Sequence, residues 1–148
     1  MILVLSGPNL NLLGRREPKL YGRESLADIH ASLGELAVEL GVEIDCRQSN
    51  HEGVLIDWLQ QSQASAIVLN AGGLTHTSVA LRDTLSAIEI PTVEVHLTHI
   101  AAREPFRRVS LLAEVCVGMV SGFGGESYRL GLRAAVGLGA TAKQRSKK

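Results

Sequence analysis

Aromatic residues are scarce in this sequence, because Phe, Trp and Tyr make up only 3% of its 148 residues. So few rings argue against a site that holds a flavin by stacking. Cysteine is also rare, and Cys46 and Cys116 lie 70 residues apart in strand-like apolar segments. This spacing and context argue against a disulfide framework and indicate reduced core thiols.

The sequence also has no excess charge and no long hydrophobic run. Its 15 basic and 15 acidic residues cancel, whereas a nucleic-acid-binding domain normally carries a basic excess. The basic cluster at 143–148 is interpreted as a solvated chain end and not as a binding arm. The first apolar run has four residues, far short of the roughly 20 that span a bilayer. We therefore expect no nucleic-acid or membrane contact and a cytoplasmic location.

Short β-rich segments alternate with helical patterns along the chain. The first helix is bounded most clearly, by Ser25 with Asp28 three residues on and by Gly41 at its end. Strands apolar on both faces that alternate with helices are typical of a parallel sheet covered on both sides. We predict an α/β three-layer sandwich with one domain at 1–140 and a basic, disordered tail at 141–148. The predicted strands are 2–5, 42–46, 66–69, 92–97 and 115–120, and the predicted helices are 25–41, 53–62, 77–87 and 126–137.

Polar segments follow the first four predicted strands, at 7–22, 47–53, 70–78 and 94–108. The carboxyl ends of parallel strands share one edge of the sheet, which is where α/β folds bind their ligands. A pocket at that edge would be lined by Asn, His, Arg, Tyr and Thr side chains and by backbone amides. The sequence therefore predicts a site for a small, polar, anionic molecule.

The segment NAGGLTHTS at 70–78 has two interpretations that the sequence leaves open. Two glycines before Thr75, Thr77 and Ser78 at a helix start could cradle an anion on free N–H groups. The same pattern suits an ordinary helix cap after a glycine turn. The segment matches neither the P-loop nor the dinucleotide-binding fingerprint.

The histidines after the fourth strand suggest an acid and not a metal site. An extended strand places His96 and His99 on opposite faces, so we expect no metal ion there. Glu94 and His96 share a face, and a carboxylate next to an imidazole stabilises the protonated ring and fixes its orientation. The alternative is an ordinary buried histidine with a hydrogen-bond partner.

Arg16 and Tyr21 are the residues of the first polar segment that could take part in a reaction. Tyrosine is a poor base at neutral pH, but a nearby arginine stabilises the phenolate. The alternative is a surface loop with charged residues and a packing tyrosine. The glycine and the charges of 15–24 suggest a lid that orders over a bound ligand.

Five segments together resemble the type II 3-dehydroquinate dehydratase family. They read GPNLNLLGRREPKLYG, RQSNHEG, NAGGLTHTSVALRD, EVHLTHIAAREPFRR and GFGGESYRLGLRA, and they extend over about residues 2–135. The resemblance implies a flavodoxin-like, five-stranded parallel sheet of order 2-1-3-4-5, a single catalytic domain and a homododecamer built as a tetramer of trimers. It implies reversible dehydration of 3-dehydroquinate to 3-dehydroshikimate, the third step of the shikimate pathway. The reaction is implied to be an anti elimination through an enolate, without metal or organic cofactor.

The resemblance also implies roles for individual residues. Tyr21 would be the base, Arg16 would hold it ionised, and His96 would protonate the departing hydroxyl. Glu94 would stand behind His96, and Asn9 would hold a water near the enolate oxygen. Substrate binding is implied for Asn70, His76, Asp83, Leu97, Thr98 and Arg107.

Some positions depart from the family pattern. The family usually has Ser-Asn where this chain has Thr98 and His99, and it often has a histidine where this chain has Ala101. Threonine keeps the hydroxyl and adds a methyl group. None of these changes touches the implied acid, base or arginine, so we expect altered affinity and not lost activity.

Two other functions compete with the dehydratase. A flavodoxin-like module would bind a flavin or a phosphate without turnover, but besides Tyr21 and Trp58 only Phe106, Phe123 and Tyr128 remain for stacking. A catalytically inactive assembly subunit would not need the matched catalytic residues, all of which are present.

Overall fold

The computed structural model describes residues 1–15 and 17–145 and has one five-stranded sheet. All strand pairs are parallel and their order is β2-β1-β3-β4-β5, which confirms the predicted flavodoxin-like fold. The strands are β1 (Ile2–Ser6), β2 (Ile44–Gln48), β3 (Ala66–Asn70), β4 (Thr92–His96) and β5 (Gly118–Ser121). The α-helices are α1 (Pro18–Tyr21), α2 (Leu26–Leu40), α3 (Glu52–Gln60), α4 (Val79–Ile88) and α5 (Glu126–Arg145). Short 3-10 helices lie at Leu10–Leu12, Gly72–His76, Ile100–Ala102, Pro105–Arg107 and Ala113–Val115.

The sheet lies between two hydrophobic layers because both faces of its central strands are apolar. In β1, Ile2 and Val4 face a core shared with α2 and α5, while Leu3 and Leu5 face a second core shared with α3 and α4. Burial of side chains of this size stabilises the fold by about 1.5–3 kcal/mol each. The sheet is therefore a firm frame for the loops at its carboxyl edge.

Helix α2 has the start and end that its capping residues predict. Ser25 Oγ accepts the Asp28 N–H at 3.1 Å, and Asp28 Oδ2 accepts the Ser25 N–H at 3.0 Å. Hydrogen bonding from the Ser25 backbone N–H, with a further contribution from the Ser25 side chain, lowers the pKa of the Asp28 carboxyl. Gly41 ends the helix with a φ of 65°, a conformation that glycine adopts without strain.

Several predicted boundaries differ from the observed ones, and three of the differences have a clear physical cause. Strand β2 starts at Ile44 and not at Val42, because the Val42 N–H still bonds to the Ala37 carbonyl at the end of α2. Strand β5 starts at Gly118 because Val115 ends a 3-10 turn. Helix α5 continues past Gly137 because residues 138–145 contain no proline and several good helix formers. The predicted disordered tail is thus helical to residue 145, and 146–148 lie outside the described residues.

Helix α5 lies so close to the sheet that one of its positions has no room for a side chain. A Cβ at Gly131 would be 2.5 Å from Val95 Cγ1 and 3.3 Å from Val68 Cγ1. Although α5 has 20 residues, neither it nor any other helix within 1–15 and 17–145 is long and apolar enough to cross a membrane.

The Gly131→Ala substitution is expected to lower the thermal unfolding midpoint. Overpacking against strand valines costs about 1–3 kcal/mol, which outweighs a gain in helix propensity of about 1 kcal/mol. Gly137→Ala, on the same helix with nothing near its Cβ position, is the matched control. It should gain about 0.5–1 kcal/mol. Equal midpoints for the two variants in a thermal melt would contradict the close packing of α5.

Candidate active site

A pocket of about 160 Å³ opens at the carboxyl edge of the sheet, between the loops after β1, β3 and β4. Glu94 stands behind one of its walls, Asp83 lies away from it, and Arg16 lies outside the described residues. The other residues with an implied role line the pocket: Asn9, Tyr21, Asn70, His76, His96, Leu97, Thr98 and Arg107.

The loops after β1 and β3 touch through their main chains beside the pocket. The Gly7 N–H donates to the Asn70 carbonyl at 2.8 Å. A Cβ at Gly7 would lie 2.5 Å from the Ala71 oxygen, and one at Gly72, whose φ is 58°, would lie 2.9 Å from the Pro8 oxygen. Only glycine permits this approach. The Asn70 side chain is fixed as well, because its Oδ1 accepts the Gly72 N–H at 3.1 Å.

The polar composition of the loop after β2 predicts that this loop lines the pocket. Its residues instead form hydrogen bonds with the loop after β1, outside the pocket. Asn50 Oδ1 accepts the Asn9 N–H at 3.0 Å, and Gln48 Nε2 donates to the Gly7 carbonyl at 3.2 Å. These bonds hold Asn9 in its left-handed conformation, with a φ of 68°. His51 precedes α3 and does not line the pocket.

The start of α4 is capped within the chain, which decides between the two interpretations of residues 70–78. Ser78 Oγ accepts the Leu81 N–H at 2.9 Å and donates to the Glu52 carboxylate. A carboxylate therefore already lies at the helix end where an external anion would bind. The ordinary cap is correct for Ser78, and the part of the segment that lines the pocket is Asn70, Gly72, Gly73 and His76.

Tyr21 ends the one-turn helix α1 and lies against a guanidinium. Nη1 of Arg103 donates to the Tyr21 hydroxyl oxygen at 3.0 Å, and the guanidinium carbon lies 5.4 Å from the ring centroid. Arg103 therefore places both a hydrogen-bond donor and a positive charge beside this oxygen. The same Nη1 is 3.5 Å from Thr98 Oγ1, so Arg103 connects Tyr21 to the loop after β4.

His96 ends β4 and is paired with a fully buried carboxylate. Its Nε2 lies 2.7 Å from Glu94 Oε1, and the exposed fractions are 5% for His96 and 0% for Glu94. Because an ionised carboxylate only accepts hydrogen bonds, Nε2 carries a hydrogen and Nδ1 is the ring nitrogen left for a ligand. A general acid at this position would donate its proton from Nδ1, the ring nitrogen that does not contact Glu94.

His76 is held through its other nitrogen. Its Nδ1 donates to the Val109 carbonyl at 2.8 Å. In the neutral ring this leaves Nε2 without a hydrogen, ready to accept one from a ligand hydroxyl. The two histidines of the pocket therefore suit different tasks, donation by His96 and acceptance by His76.

The charged side chains that line the pocket are arginines. Arg103 and Arg107 both line it, and none of its described lining residues is acidic. The Arg107 guanidinium lies 5.0 Å from the Phe106 ring centroid, and its Nε lies 2.7 Å from Glu104 Oε2. Two guanidinium groups held by their neighbours favour a ligand with a carboxylate.

The two tyrosines of the chain have opposite environments. Tyr128 is fully buried, with its hydroxyl 2.8 Å from Ser6 Oγ. Burial raises the pKa of Tyr128, so its phenol stays neutral. Tyr21 is half-buried and lines the pocket. Of the two, Tyr21 is the one that can act as a base on a ligand.

Asp83 does not reach the pocket of its own chain. It lies on an exposed face of α4, where its Oδ1 is 3.4 Å from Arg82 Nη1 and its side chain is 66% exposed. A role for Asp83 in binding substrate therefore requires a second chain. In the described part of the molecule, no three His, Cys, Asp or Glu side chains are grouped as metal ligands.

Arg103 is a site residue that the sequence does not single out. The loop after β4 contains Arg103, Arg107 and Arg108, and nothing local separates the three. What distinguishes Arg103 from the other two is its hydrogen bond to Tyr21, which lies 82 residues earlier in the chain. The available signal was only its place in a polar segment at the correct edge of the sheet.

A flavodoxin-like sheet whose pocket holds a tyrosine–arginine pair beside a glutamate–histidine pair is an arrangement that suits acid–base chemistry in an α/β enzyme. Comparisons with known proteins specify it further. A family model described as Dehydroquinase class II matches residues 1–136.

The chain is 58% identical over 137 residues to the 3-dehydroquinate dehydratase of Gloeothece citriformis, covering 91% of this chain and 90% of that protein. It is 58% identical over 139 residues to the 3-dehydroquinate dehydratase of Desulforudis audaxviator, covering 93% of each. The crystal structure of type II dehydroquinase from Butyrivibrio crossotus superposes with a TM-score of 0.89 at 38% identity, over 90% of this chain and 95% of that one.

The chain belongs to the class II dehydroquinase family, whose enzymes are hydro-lyases of class EC 4.2.1.10. The resemblance carried by the five sequence segments is confirmed.

Replacement of Arg103 by methionine is expected to lower kcat. The variant loses the hydrogen bond to the Tyr21 hydroxyl. If that oxygen is charged during the reaction, the bond is worth about 1.5–3 kcal/mol, which corresponds to about 10- to 100-fold in rate. Arg133→Met, at an exposed position of α5, is the matched control and should keep its rate. Steady-state kinetics of both variants provides the measurement, and equal kcat values would contradict a role for Arg103.

Proposed function

We propose that the protein catalyses the reversible dehydration of 3-dehydroquinate to 3-dehydroshikimate, the third step of the shikimate pathway, without metal or organic cofactor. One observation carries the proposal: Tyr21, paired with a guanidinium, and His96, paired with a buried carboxylate, line the same cationic pocket. An elimination needs a base and an acid within reach of one substrate. Membership of the family, which is named for this substrate, supports the reaction.

The reaction follows from the states of these two side chains. The Tyr21 phenolate removes a proton from the carbon next to the ketone, which gives an enolate. His96 then transfers the proton on Nδ1 to the departing hydroxyl, which leaves as water by anti elimination. Arg103 and Arg16 stabilise the phenolate, and Asn9 holds a water near the enolate oxygen. Glu94 stabilises the protonated His96 ring before the transfer.

The remaining polar groups of the pocket would bind the carboxylate and the hydroxyls of the substrate. The Thr98 hydroxyl and the backbone amides of Leu97 and Thr98 would hold the carboxylate. This backbone is fixed, since the Leu97 carbonyl accepts the Gly124 N–H at 2.9 Å and the Thr98 carbonyl accepts from Ser121 Oγ at 2.9 Å. Further substrate contacts are assigned to Asn70, His76 and Arg107.

Tyr21→Phe is expected to lower kcat for 3-dehydroquinate at least about 100-fold, the usual size of a general-base contribution. The measurement is the ultraviolet absorbance of the conjugated enone product. Tyr128→Phe is the comparison: it removes the other phenol of the chain, which is fully buried and bonds to Ser6 and Asn70, so it should lower the unfolding midpoint and reduce kcat far less than Tyr21→Phe does.

The same assay tests the whole proposal. Addition of a chelator should leave the rate unchanged, since no step uses a metal. Full activity of Tyr21→Phe would refute the role of the base. Absence of turnover by the purified wild-type protein, together with a thermal shift on adding flavin, would favour the binding module instead.

We further propose that the active form is a cytoplasmic homododecamer, a tetramer of trimers. The position of Asp83 supports assembly, because an exposed residue on α4 can contact substrate only in a neighbouring subunit's pocket. Exposed apolar side chains beside the pocket and along β5 also favour contact between copies. They include Phe106, Val109, Val117, Met119 and Phe123.

Assembly predicts complementation between two weakened variants. Asp83→Ala and Tyr21→Phe subunits, co-expressed, should form mixed oligomers in which some pockets combine an intact Tyr21 with a neighbour's intact Asp83. Activity should then exceed that of either variant alone. Sedimentation should give about twelve times the 15.8 kDa chain mass. A monomer with full activity would contradict the assembly.

A further inference from the structure

Ser110, in the segment between β4 and β5, contacts the buried carboxylate that stands behind His96. Its Oγ lies 2.7 Å from Glu94 Oε1, the same oxygen that accepts from His96 Nε2 at 2.7 Å. The other oxygen, Oε2, is buried and has no hydrogen-bond partner within 1–15 and 17–145. Two donors on one oxygen therefore hold the Glu94 side chain in place.

The hydrogen-bonding capacity of Ser110 fixes the direction of this contact. Its Oγ accepts the N–H groups of Leu112 at 3.1 Å and of Ala113 at 3.0 Å. A hydroxyl has two acceptor lone pairs and one hydrogen, so with both lone pairs occupied the hydrogen is directed at Glu94. A neutral donor beside a carboxylate fixes the orientation of the carboxylate without cancelling its charge.

The main chain on both sides of Ser110 is tied to the loop after β3. The Val109 carbonyl accepts from His76 Nδ1 at 2.8 Å, and the Leu111 N–H donates to the Thr75 carbonyl at 2.9 Å. Ser110 therefore cannot shift without disturbing the pocket wall that contains His76. Because its main chain is held on both sides, Ser110 can fix the position of the Glu94 side chain.

We propose that Ser110 is a positioning residue for the acid: its hydroxyl holds Glu94 so that the carboxylate orients His96 with Nδ1 directed at the leaving hydroxyl. This inference rests on the proposed function, in which His96 protonates that hydroxyl. Ser110 does not touch substrate and acts through Glu94.

The first test is Ser110→Ala, assayed with 3-dehydroquinate. Its kcat should fall about tenfold, the effect of losing one hydrogen bond to a charged group, with less than about a twofold change in KM. Ser110→Thr, which restores a hydroxyl, should recover most of the lost kcat. Ser62→Ala is the matched control, because Ser62 Oγ also accepts a backbone N–H two residues on, from Ala64 at 3.1 Å, but lies far from Glu94. It should keep the wild-type kcat.

A double-mutant cycle separates positioning from a purely structural role. If Ser110 acts through Glu94, Ser110→Ala should have little further effect on kcat in a Glu94→Gln background. Multiplicative effects of the two changes would overturn the proposal, as would an unchanged kcat in Ser110→Ala.

Two further outcomes keep the test decisive. If Ser110→Ala does not fold, the near-isosteric Ser110→Cys, with its weak S–H donor, takes its place and should show the same loss of kcat. If the wild-type protein does not turn over 3-dehydroquinate, the proposed function fails. If it does, and the Ser110 variants match it, the positioning role alone fails.

Discussion

The charge of Glu94 is the constraint on which the arrangement of the site depends. An ionised carboxylate taken out of water costs several kcal/mol unless donors replace the lost solvent. Here one of its oxygens receives both a ring N–H and a hydroxyl, and β4 holds the residue between β3 and β5. Burial, with the negative charge of Glu94 adding to it, raises the pKa of the nearby Cys116 thiol to about 12. That thiol therefore stays neutral, and it adds no second negative charge beside the carboxylate.

The proposed acid and the proposed base are held by different kinds of structure. His96 ends a buried strand and inherits the rigidity of the sheet, whereas Tyr21 is carried by a single helical turn in a long loop. Arg103 joins the two parts, since it extends from the loop after the acid's strand to the base's hydroxyl. In the proposed mechanism, an acid on the sheet and a base on a separate loop would allow substrate to enter before the loop closes over it.

The sequence predicts the features that local chemistry decides. The capping box of α2 uses residues three apart, and the apolar strands match the parallel sheet that they form. Features decided by distant contacts are not predictable in this way. Arg103 is one of three similar arginines until the fold brings Tyr21 to it. Asn50 does not line the pocket but accepts a hydrogen bond from the Asn9 N–H, and Ser78 donates its hydroxyl hydrogen to Glu52. Both contacts arise because loops at the same edge of the sheet form hydrogen bonds with each other.

Boundaries fail for a related physical reason. Val42 is apolar and has a high strand propensity, yet its N–H bonds to the Ala37 carbonyl in the last turn of α2. Because that N–H is already used, it is not available to the sheet, and β2 begins later than strand propensity predicts. Val115 precedes β5, but it lies in a 3-10 turn and its side chain packs against the core beside α4. In both places an apolar residue contributes to the core from a turn, where periodicity alone predicts a strand.

The hydrogen bond between Ser6 and Tyr128 joins the end of the first strand to the first turn of the last helix, 122 residues apart. The strand end that leads into the Asn9 loop is therefore stabilised by one of the last parts of the domain to be synthesised. A chain still emerging from the ribosome lacks α5 while it already carries both Tyr21 and His96. Catalytic competence should thus arise only after α5 has been synthesised and has docked on the sheet.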